Sequence, residues 1–220
     1  MKKENLEPMG AFFNARAHQY DEVHTGHIGG GLESKDVVTA YLPERARDVL
    51  DLGCGTGLEL EALFRRFPRA RVVGIDLAED MLAKLRERCA GFDVQTLCMS
   101  YFDYGFTPAQ FDAVISVMSL HHFTPAQKLD LYKKAHSALR PAGLFLNCDY
   151  IIDSPWEERR YFRRLRRMGA EPGSVHFDTP LTLKHEMALL RQAGFAGVEA
   201  VWEAGTTRLI LAKKSQEEGK

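Results

Sequence analysis

From residue 48 onward, short apolar runs alternate with segments in which apolar residues recur at helical spacing. Five runs have the length and residue types of strands, and three segments have the period of amphipathic helices. The runs are 49–52, 71–75, 94–98, 111–117 and 143–148, and the helical segments are 58–67, 81–89 and about 126–139. This alternation predicts βαβ units and a parallel sheet that is covered by helices on both faces.

The two ends of the chain and a late insertion follow other patterns. Residues 1–45 are polar-aromatic and helical in pattern, interrupted by Gly29, Gly30 and Gly31, which predicts a helical arm or lid ahead of the core. The residue pattern of strands is also absent from 155 to 193. Two helices are expected there, on either side of the stretch 169–180, which is rich in the helix breakers glycine and proline. The runs 198–202 and 207–212 predict a final antiparallel hairpin.

The predicted fold class is therefore α/β. We expect a doubly wound, mostly parallel seven-stranded sheet that ends in an antiparallel hairpin. The predicted parts are a lid at 1–45, a catalytic domain at 46–213 with a helical substrate-side insertion at 150–195, and a disordered tail at 214–220.

Composition and charge narrow the class of protein. A chain of 220 residues with 45% hydrophobic and 27% charged residues can bury the core of one domain. Its formal net charge of -1 provides no overall attraction to nucleic acid or to an anionic membrane. Neither a signal peptide nor a membrane-spanning stretch is found. The cysteines Cys54, Cys89, Cys98 and Cys148 form no Cys-x-x-Cys pair, so we expect a cytoplasmic protein.

The chemistry of the chain is concentrated in a glycine-rich loop after the first predicted strand. Gly53, Gly55 and Gly57 stand between that strand and a helix, where a ligand can approach the backbone closely. Asp76 ends the second predicted strand, at about the spacing of 20 residues from which a carboxylate accepts the hydroxyls of a ribose. The loop and the spaced acid together suggest a ligand that contains adenosine.

A dinucleotide would satisfy the same two features, so the details of the loop matter. The spacing is Gly-x-Gly-x-Gly rather than the Gly-x-Gly-x-x-Gly of a pyrophosphate-binding loop. Asp51 adds a negative charge that would repel a pyrophosphate and attract an ammonium or a sulfonium group. A cationic amino-acid nucleoside therefore fits the loop better than NAD does.

Four segments, in the right order, resemble the motifs of class I S-adenosylmethionine-dependent methyltransferases. VLDLGCGTG at 49–57 is similar to their first motif and VGIDLAEDML at 73–82 to their second. FDAVIS at 111–116, continued by LHHF at 120–123, resembles the motif of the fourth strand. LRPAGL at 139–144 resembles the approach to the fifth strand. The resemblance covers residues 45 to 150 and implies methyl transfer from S-adenosylmethionine, with S-adenosylhomocysteine as the product.

The resemblance also implies which residues hold the cofactor. Gly53 and Gly55 would face its methionine part, Asp51 its amino group and Asp76 its ribose, while Leu77 and Met81 would pack near the adenine. Ser100 stands where the family often has an aspartate that accepts from the adenine amino group. The remaining cofactor-binding residues expected are Tyr20 on the lid, Cys54, Met99, Ser100, Tyr101, Ser116 and His121.

Catalytic candidates lie after the fourth and fifth strands. His121 and His122 follow the fourth strand, where one of them could remove a proton from an acceptor or merely shape the wall of the site. Asp149, which with Tyr150 lies beyond the fifth strand, is a second candidate for the base. The reaction would depend mainly on alignment of the acceptor with the methyl group.

The acceptor is not identified by any motif, and a small molecule is favoured. The arginine-rich helix expected around 159–167 leaves open an RNA acceptor, although a solvated surface explains it as well. A non-catalytic cofactor-binding module and, more distantly, an NAD-dependent oxidoreductase also fit the glycine loop. We expect no metal, because the remaining histidines and acids form no ligand spacing that is typical of a metal site; they are His24, His27, His176, Asp178 and His185.

Overall fold

Seven strands form one sheet in the order β3-β2-β1-β4-β5-β7-β6. The computed structural model describes residues 6–22, 31–169 and 173–216. The strands are β1 (Asp48–Leu52), β2 (Arg71–Asp76), β3 (Asp93–Cys98), β4 (Phe111–Val117), β5 (Leu139–Tyr150), β6 (Gly197–Ala204) and β7 (Thr207–Lys213). The helices are α1 (Met9–Arg16), α2 (Gly31–Ala40), α3 (Leu58–Arg66), α4 (Glu79–Arg88), α5 (Pro125–Ala138), α6 (Pro155–Met168) and α7 (Leu183–Gln192).

The predicted fold class is confirmed. Strands β1 to β5 pair in parallel, whereas β7 is antiparallel to both β5 and β6. The order of the sheet reverses at β1, which lies between β2 and β4. In sheets of this kind the ligand binds outside the carboxyl ends of the strands at that point. The topology therefore places the loop after β1 in the expected binding crevice.

Buried side chains on both faces of the sheet explain why its strands are almost continuously apolar. On β1, Val49 belongs to the core on one face and Leu50 to the core on the other, and both are fully buried. On β4, Ala113 belongs to the same core as Val49, and Val114 belongs to the same core as Leu50. Successive side chains of a strand point to opposite faces, so a strand covered by helices on both sides needs apolar residues at every position.

Strand β5 begins earlier than the predicted run 143–148. Leu139 already pairs with Phe111, and the register then shifts before Ala113. Ala142 adopts a positive φ of 62° within this irregular stretch. The irregular pairing lets the strand start directly after α5 in spite of Pro141, which cannot donate a backbone hydrogen bond.

The arm and the insertion are in contact with each other. The backbone N–H of Met9 donates to Ser174 O (3.0 Å), and that of His176 donates to Glu7 O (3.0 Å). Gly31 begins α2, whereas Gly29 and Gly30 lie outside the described residues. Among the described residues, no helix is long and apolar enough to cross a membrane.

The start of the predicted tail packs on the domain instead of being disordered. Lys214 is buried. Its Nζ donates to Leu139 O (2.8 Å), and its backbone N–H donates to Gly143 O (3.0 Å). A buried ammonium is tolerated when its donors are hydrogen-bonded. The end of the tail, 217–220, lies outside the described residues.

Candidate functional site

The loop after β1 requires glycine for two different reasons. Gly53 has a φ of +83°, and a Cβ there would lie 2.1 Å from Ser119 Oγ. Gly55 has a φ of +47°, and a Cβ there would project into open space. A side chain is therefore excluded at Gly53 by the protein itself, and at Gly55 it would occupy the space that a ligand needs.

Asp76 is held rigidly at the end of β2. Its Oδ2 accepts from the backbone N–H of Gly55 (2.9 Å) and its Oδ1 from that of Ala78 (2.9 Å). Burial raises the pKa of Asp76, and these backbone hydrogen bonds partly counteract the rise. A carboxylate has about four acceptor sites, so Asp76 can still accept from the hydroxyls of a ribose.

Two buried carboxyl groups lie behind the loop, and sequence reasoning identifies only one of them. Asp51 is fully buried, and neither of its oxygens has a hydrogen-bond partner among the described residues. Burial raises the pKa of Asp51 well above its usual range, and the charge of Glu59 raises it further. Burial also raises the pKa of Glu59, to about 7. A buried carboxylate without a partner is costly, and a cationic group of a ligand would supply that partner.

A cleft with about 500 Å³ of empty space, part of it open to solvent, extends from the loop towards the arm. The arm covers it with aromatic rings, since the ring centroid of Phe13 lies 6.1 Å from that of Tyr20 and 6.0 Å from that of His122. Phe12 stacks on His176 at 3.5 Å. The predicted residues that line the cleft are Tyr20, Gly53, Gly55, Asp76, Leu77, Met81 and Tyr101.

Other predicted cofactor residues lie outside that lining. Ser116 is fully buried, and its Oγ donates to Leu52 O (2.9 Å), which ties β4 to β1. Ser100 Oγ accepts from the backbone N–H of Phe102 (3.2 Å), and Met99 packs against the core. Cys54 borders a small cavity that adjoins the loop. The sequence places these residues near the right strand ends but does not show which way their side chains point.

Beside His122, which lines the cleft, the structure brings His121 and Asp149 together. His121 Nδ1 lies 2.6 Å from Asp149 Oδ1, and both side chains are buried. Burial alone would lower the pKa of His121, but the charge and the hydrogen bond of Asp149 outweigh it and raise the pKa. Burial would likewise raise the pKa of Asp149, yet the pairing with His121 lowers it. The pair is therefore an oriented imidazole supported by a carboxylate.

His121 is not itself among the residues that line the cleft, whereas its neighbour His122 is. Sequence reasoning does not connect either histidine with Asp178, whose Oδ1 lies 3.3 Å from His122 Nδ1. It also misses three lining residues after β4, where no local pattern distinguishes a pocket wall from a turn. These residues are Met118, Ser119 and Phe123.

A fold with this sheet order, a glycine loop after β1 and an acid after β2 defines the class of nucleoside-binding α/β enzymes. A model of the methyltransferase domain family matches residues 49–143. A carboxy-S-adenosyl-L-methionine synthase of Helicobacter pylori (strain P12) is 30% identical over an alignment of 183 positions, which covers 76% of this chain and 74% of that protein. The chain belongs to the class I S-adenosylmethionine-dependent methyltransferase family, and its cofactor is S-adenosylmethionine.

Two further comparisons cover nearly the whole chain. The carboxy-S-adenosyl-L-methionine synthase of Helicobacter pylori (strain HPAG1) is 27% identical over an alignment of 235 positions, which covers 96% of this chain and 97% of that protein. The structure of human N-acetylserotonin methyltransferase in complex with S-adenosylmethionine is similar in fold, with a TM-score of 0.67 and 18% identity. That match covers 94% of this chain, and this chain spans 56% of the solved one.

The residues of the site fit the cofactor of the family. Asp51 offers unpartnered carboxylate oxygens for an ammonium group, Gly55 leaves open space beside the backbone, and Asp76 offers acceptors for a ribose. The roles that the resemblance assigns to these three residues are therefore compatible with the structure.

We expect Asp21 to control how tightly the arm closes over the loop. Asp21 Oδ1 accepts from Thr56 Oγ1 (2.5 Å), and its Oδ2 accepts from Arg88, which also donates to Thr56 O (2.6 Å). Asp21→Asn removes the charge of this link and should cost about 1 kcal/mol of arm closure, or about fivefold faster chymotryptic cleavage at the arm aromatics.

The matched control is Glu7→Gln, which removes an exposed ion pair with Arg16 (2.9 Å) on the same arm. Exposed pairs contribute little, so its cleavage rate should stay near that of the unchanged protein. Equal cleavage rates for Asp21→Asn and Glu7→Gln would show that Asp21 does not hold the arm.

Proposed function

We propose that this chain transfers the methyl group of S-adenosylmethionine to a small-molecule acceptor that binds beside His121 and His122. The observation that carries this proposal is the continuity of one cleft from the cofactor residues Gly55 and Asp76 to the imidazole of His122. The bound cofactor supplies a methyl group that is already activated by the sulfonium. The residues of the chain bind, orient and enclose the two reactants.

His121 and Asp149 have different roles in this proposal. Asp149 is 1% exposed and bonds to His121 Nδ1, so it lies behind the imidazole and acts as a positioning residue. His121 Nε2 points the other way, towards Asp178 at 3.7 Å. We propose that His121 helps to prepare the nucleophilic atom of the acceptor at this nitrogen.

The lining and the cover of the cleft support a small acceptor rather than a polymer. The arm lies across the cleft through Met9 and Phe13, a cover that a polymer would have to displace. None of the arginines of α6 is among the lining residues that the structure describes. The basic helix therefore gives no direct support to an RNA acceptor. The four cysteines are free thiols, which suits the cytoplasm that we propose as the compartment.

Carboxylation of the cofactor is the second candidate. The relatives named carboxy-S-adenosyl-L-methionine synthase match almost the whole chain, which favours this activity. A carboxylated cofactor, however, carries an additional negative charge close to the acceptor side of the cleft. The described lining offers no lysine or arginine to pair with that charge, so we rank methyl transfer first.

Mass spectrometry separates the two candidates. The protein is incubated with S-adenosylmethionine that carries a deuterated methyl group and with an extract of small metabolites. Methyl transfer should yield S-adenosylhomocysteine and an acceptor that bears the deuterated methyl group. A carboxylated cofactor, without S-adenosylhomocysteine, would instead establish the second candidate. The Asp51→Asn variant serves as the blank for both reactions.

A further inference from the structure

Three possible metal ligands meet at the acceptor end of the cleft: His121, His122 and Asp178. One ligand atom from each lies within 4.8 Å of the other two. Asp178 Oδ1 is 3.7 Å from His121 Nε2 and 3.3 Å from His122 Nδ1. Ligands that bind one ion at about 2.0–2.2 Å are about 3–3.5 Å apart. Small side-chain rotations would therefore bring all three onto a common ion.

His121 is oriented in the way that metal-binding histidines usually are. Its Nδ1 is engaged by the buried carboxylate of Asp149 at 2.6 Å. Asp149 Oδ1 also accepts from the backbone N–H of Tyr150 (2.8 Å). A carboxylate on one ring nitrogen fixes the tautomer and makes the other nitrogen a better ligand. The free nitrogen, Nε2, is the one that faces Asp178.

Asp178 is fixed in place by its neighbour in the chain. The backbone N–H of Thr179 donates to His121 O (2.6 Å), and Thr179 Oγ1 is within 3.1 Å of the same carbonyl and 3.2 Å of Phe123 O. These buried contacts attach the insertion to the turn that carries both histidines. The fold thus sets the positions of the backbone segments that carry the two histidines and Asp178.

The cluster combines a buried histidine with an open side. His122 is 4% exposed, and its Nδ1 faces Asp178 Oδ1 at 3.3 Å. The Asp178 side chain is 41% exposed, so one side of the cluster is accessible. Three protein ligands with open positions are typical of catalytic rather than purely structural metal sites.

We propose that His121, His122 and Asp178 bind a divalent first-row transition metal, with Zn²⁺ and Fe²⁺ as the best matches. Two imidazoles and one carboxylate suit these ions, whereas Mg²⁺ and Ca²⁺ prefer oxygen ligands alone. The metal leaves positions free for an oxygen of the acceptor and lowers the pKa of a hydroxyl that binds there. The metal site deepens the proposed function. The role given to the metal rests on that function, whereas metal binding does not.

The sequence alone favours the opposite expectation, because the two histidines and Asp178 are more than 50 residues apart and form no ligand spacing. The structure brings them together through the contacts of Thr179. The metal would be held next to the cofactor cleft, since His122 lines that cleft. The role of His121 would then be that of a ligand which acts on the acceptor through the metal.

Metal titration tests the proposal without any assay of activity. The chelator-treated full chain is titrated with Zn²⁺ by calorimetry and with Co²⁺ by visible absorption, which reports the ligand geometry. We expect one equivalent to bind. Asp178→Asn and His122→Gln should each weaken the affinity about 100-fold or more, and Asp149→Asn should weaken it about 10- to 100-fold.

The matched control is His185→Gln. His185 also pairs with a carboxylate, Glu158 (2.6 Å), but lies on α7 outside the cluster, so its loss should leave the affinity unchanged. Unchanged Co²⁺ binding by Asp178→Asn, or no binding by the unaltered chain, would overturn the proposal. Calorimetry with S-adenosylhomocysteine on the same samples separates the two claims. If the chain binds S-adenosylhomocysteine but no metal, only this inference is refuted. If the chain does not bind S-adenosylhomocysteine, the proposed function is refuted.

Discussion

The Asp51→Asn variant should bind S-adenosylhomocysteine at least about 30-fold more weakly than the unchanged protein does. Asp51 is fully buried with both oxygens unpartnered, so the ammonium of the cofactor would be its counter-charge. Removal of one partner of a buried charge pair costs about 2–5 kcal/mol, and each 1.4 kcal/mol is about tenfold in affinity. Calorimetry with purified protein measures the loss directly.

The same variant should also change how stability depends on pH. The pKa of Asp51 in the folded protein is raised by burial and by the charge of Glu59, so the folded state holds its proton more tightly than the unfolded state. Without ligand, the contribution of these two carboxyl groups to the free energy of unfolding is therefore present at low pH. It is lost as the pH rises through their raised pKa values, which include about 7 for Glu59. Asp51→Asn should raise the unfolding temperature at pH 8 relative to the unchanged protein.

Binding of the cofactor product should show the opposite trend with pH. The ammonium requires an ionised carboxylate, and burial raises the pKa of Asp51, so the affinity of the unchanged protein should rise with pH, through the pKa of about 7 of the neighbouring Glu59 as well. The control is Glu61→Gln, which alters a half-exposed carboxylate on the same helix, α3. An affinity of Asp51→Asn within about threefold of that of Glu61→Gln would refute the role of Asp51.

The sequence predicts the strands well because their apolar periodicity has a direct physical cause. The run 111–117 coincides with β4, since both faces of that strand are buried and five of its seven residues are apolar. The run predicted for β5 starts too late because the first residues of the strand include Pro141, which normally ends a strand. Only the paired register with β4 shows why the strand tolerates this proline.

The candidate site likewise combines residues that local sequence spacing predicts with residues that only contacts between distant segments bring together. The loop at Gly53 and Gly55 and the acid Asp76 are encoded by local spacing, and the structure brings them to one cleft. Asp178 lies in an insertion without a motif, and its position depends on the hydrogen bonds of Thr179 to the turn after β4. Contacts between distant segments leave no trace in local periodicity, so the cluster with His121 and His122 is not predictable from the sequence.

A buried ion pair between α5 and α7 is likewise invisible in the sequence. Lys128 Nζ donates to Glu186 Oε2 at 2.7 Å, and the two side chains are 1% and 0% exposed. The hydroxyl of Tyr132 donates to the other carboxylate oxygen of Glu186. Helical patterning would place a lysine and a glutamate on solvated faces, but mutual pairing allows both to be buried.

Lys128→Met should therefore destabilise the fold by about 3–5 kcal/mol, because it leaves the charge of Glu186 buried without its partner. For a chain of this length the unfolding temperature should fall by about 10 °C in a calorimetric scan. The double variant Lys128→Met/Glu186→Gln should recover more than half of the loss, since it removes the stranded charge and keeps an acceptor for Tyr132.

The control for this prediction lies on the same helix. Lys134 pairs with Asp130 at 2.9 Å on the exposed face of α5, where an ion pair contributes at most about 1 kcal/mol. Lys134→Met should accordingly lower the unfolding temperature by no more than about 3 °C. If Lys128→Met destabilises no more than Lys134→Met does, the buried pair does not hold α7 against α5. Recovery in the double variant would instead show that the stranded charge, rather than lost packing of the lysine stem, causes the destabilisation.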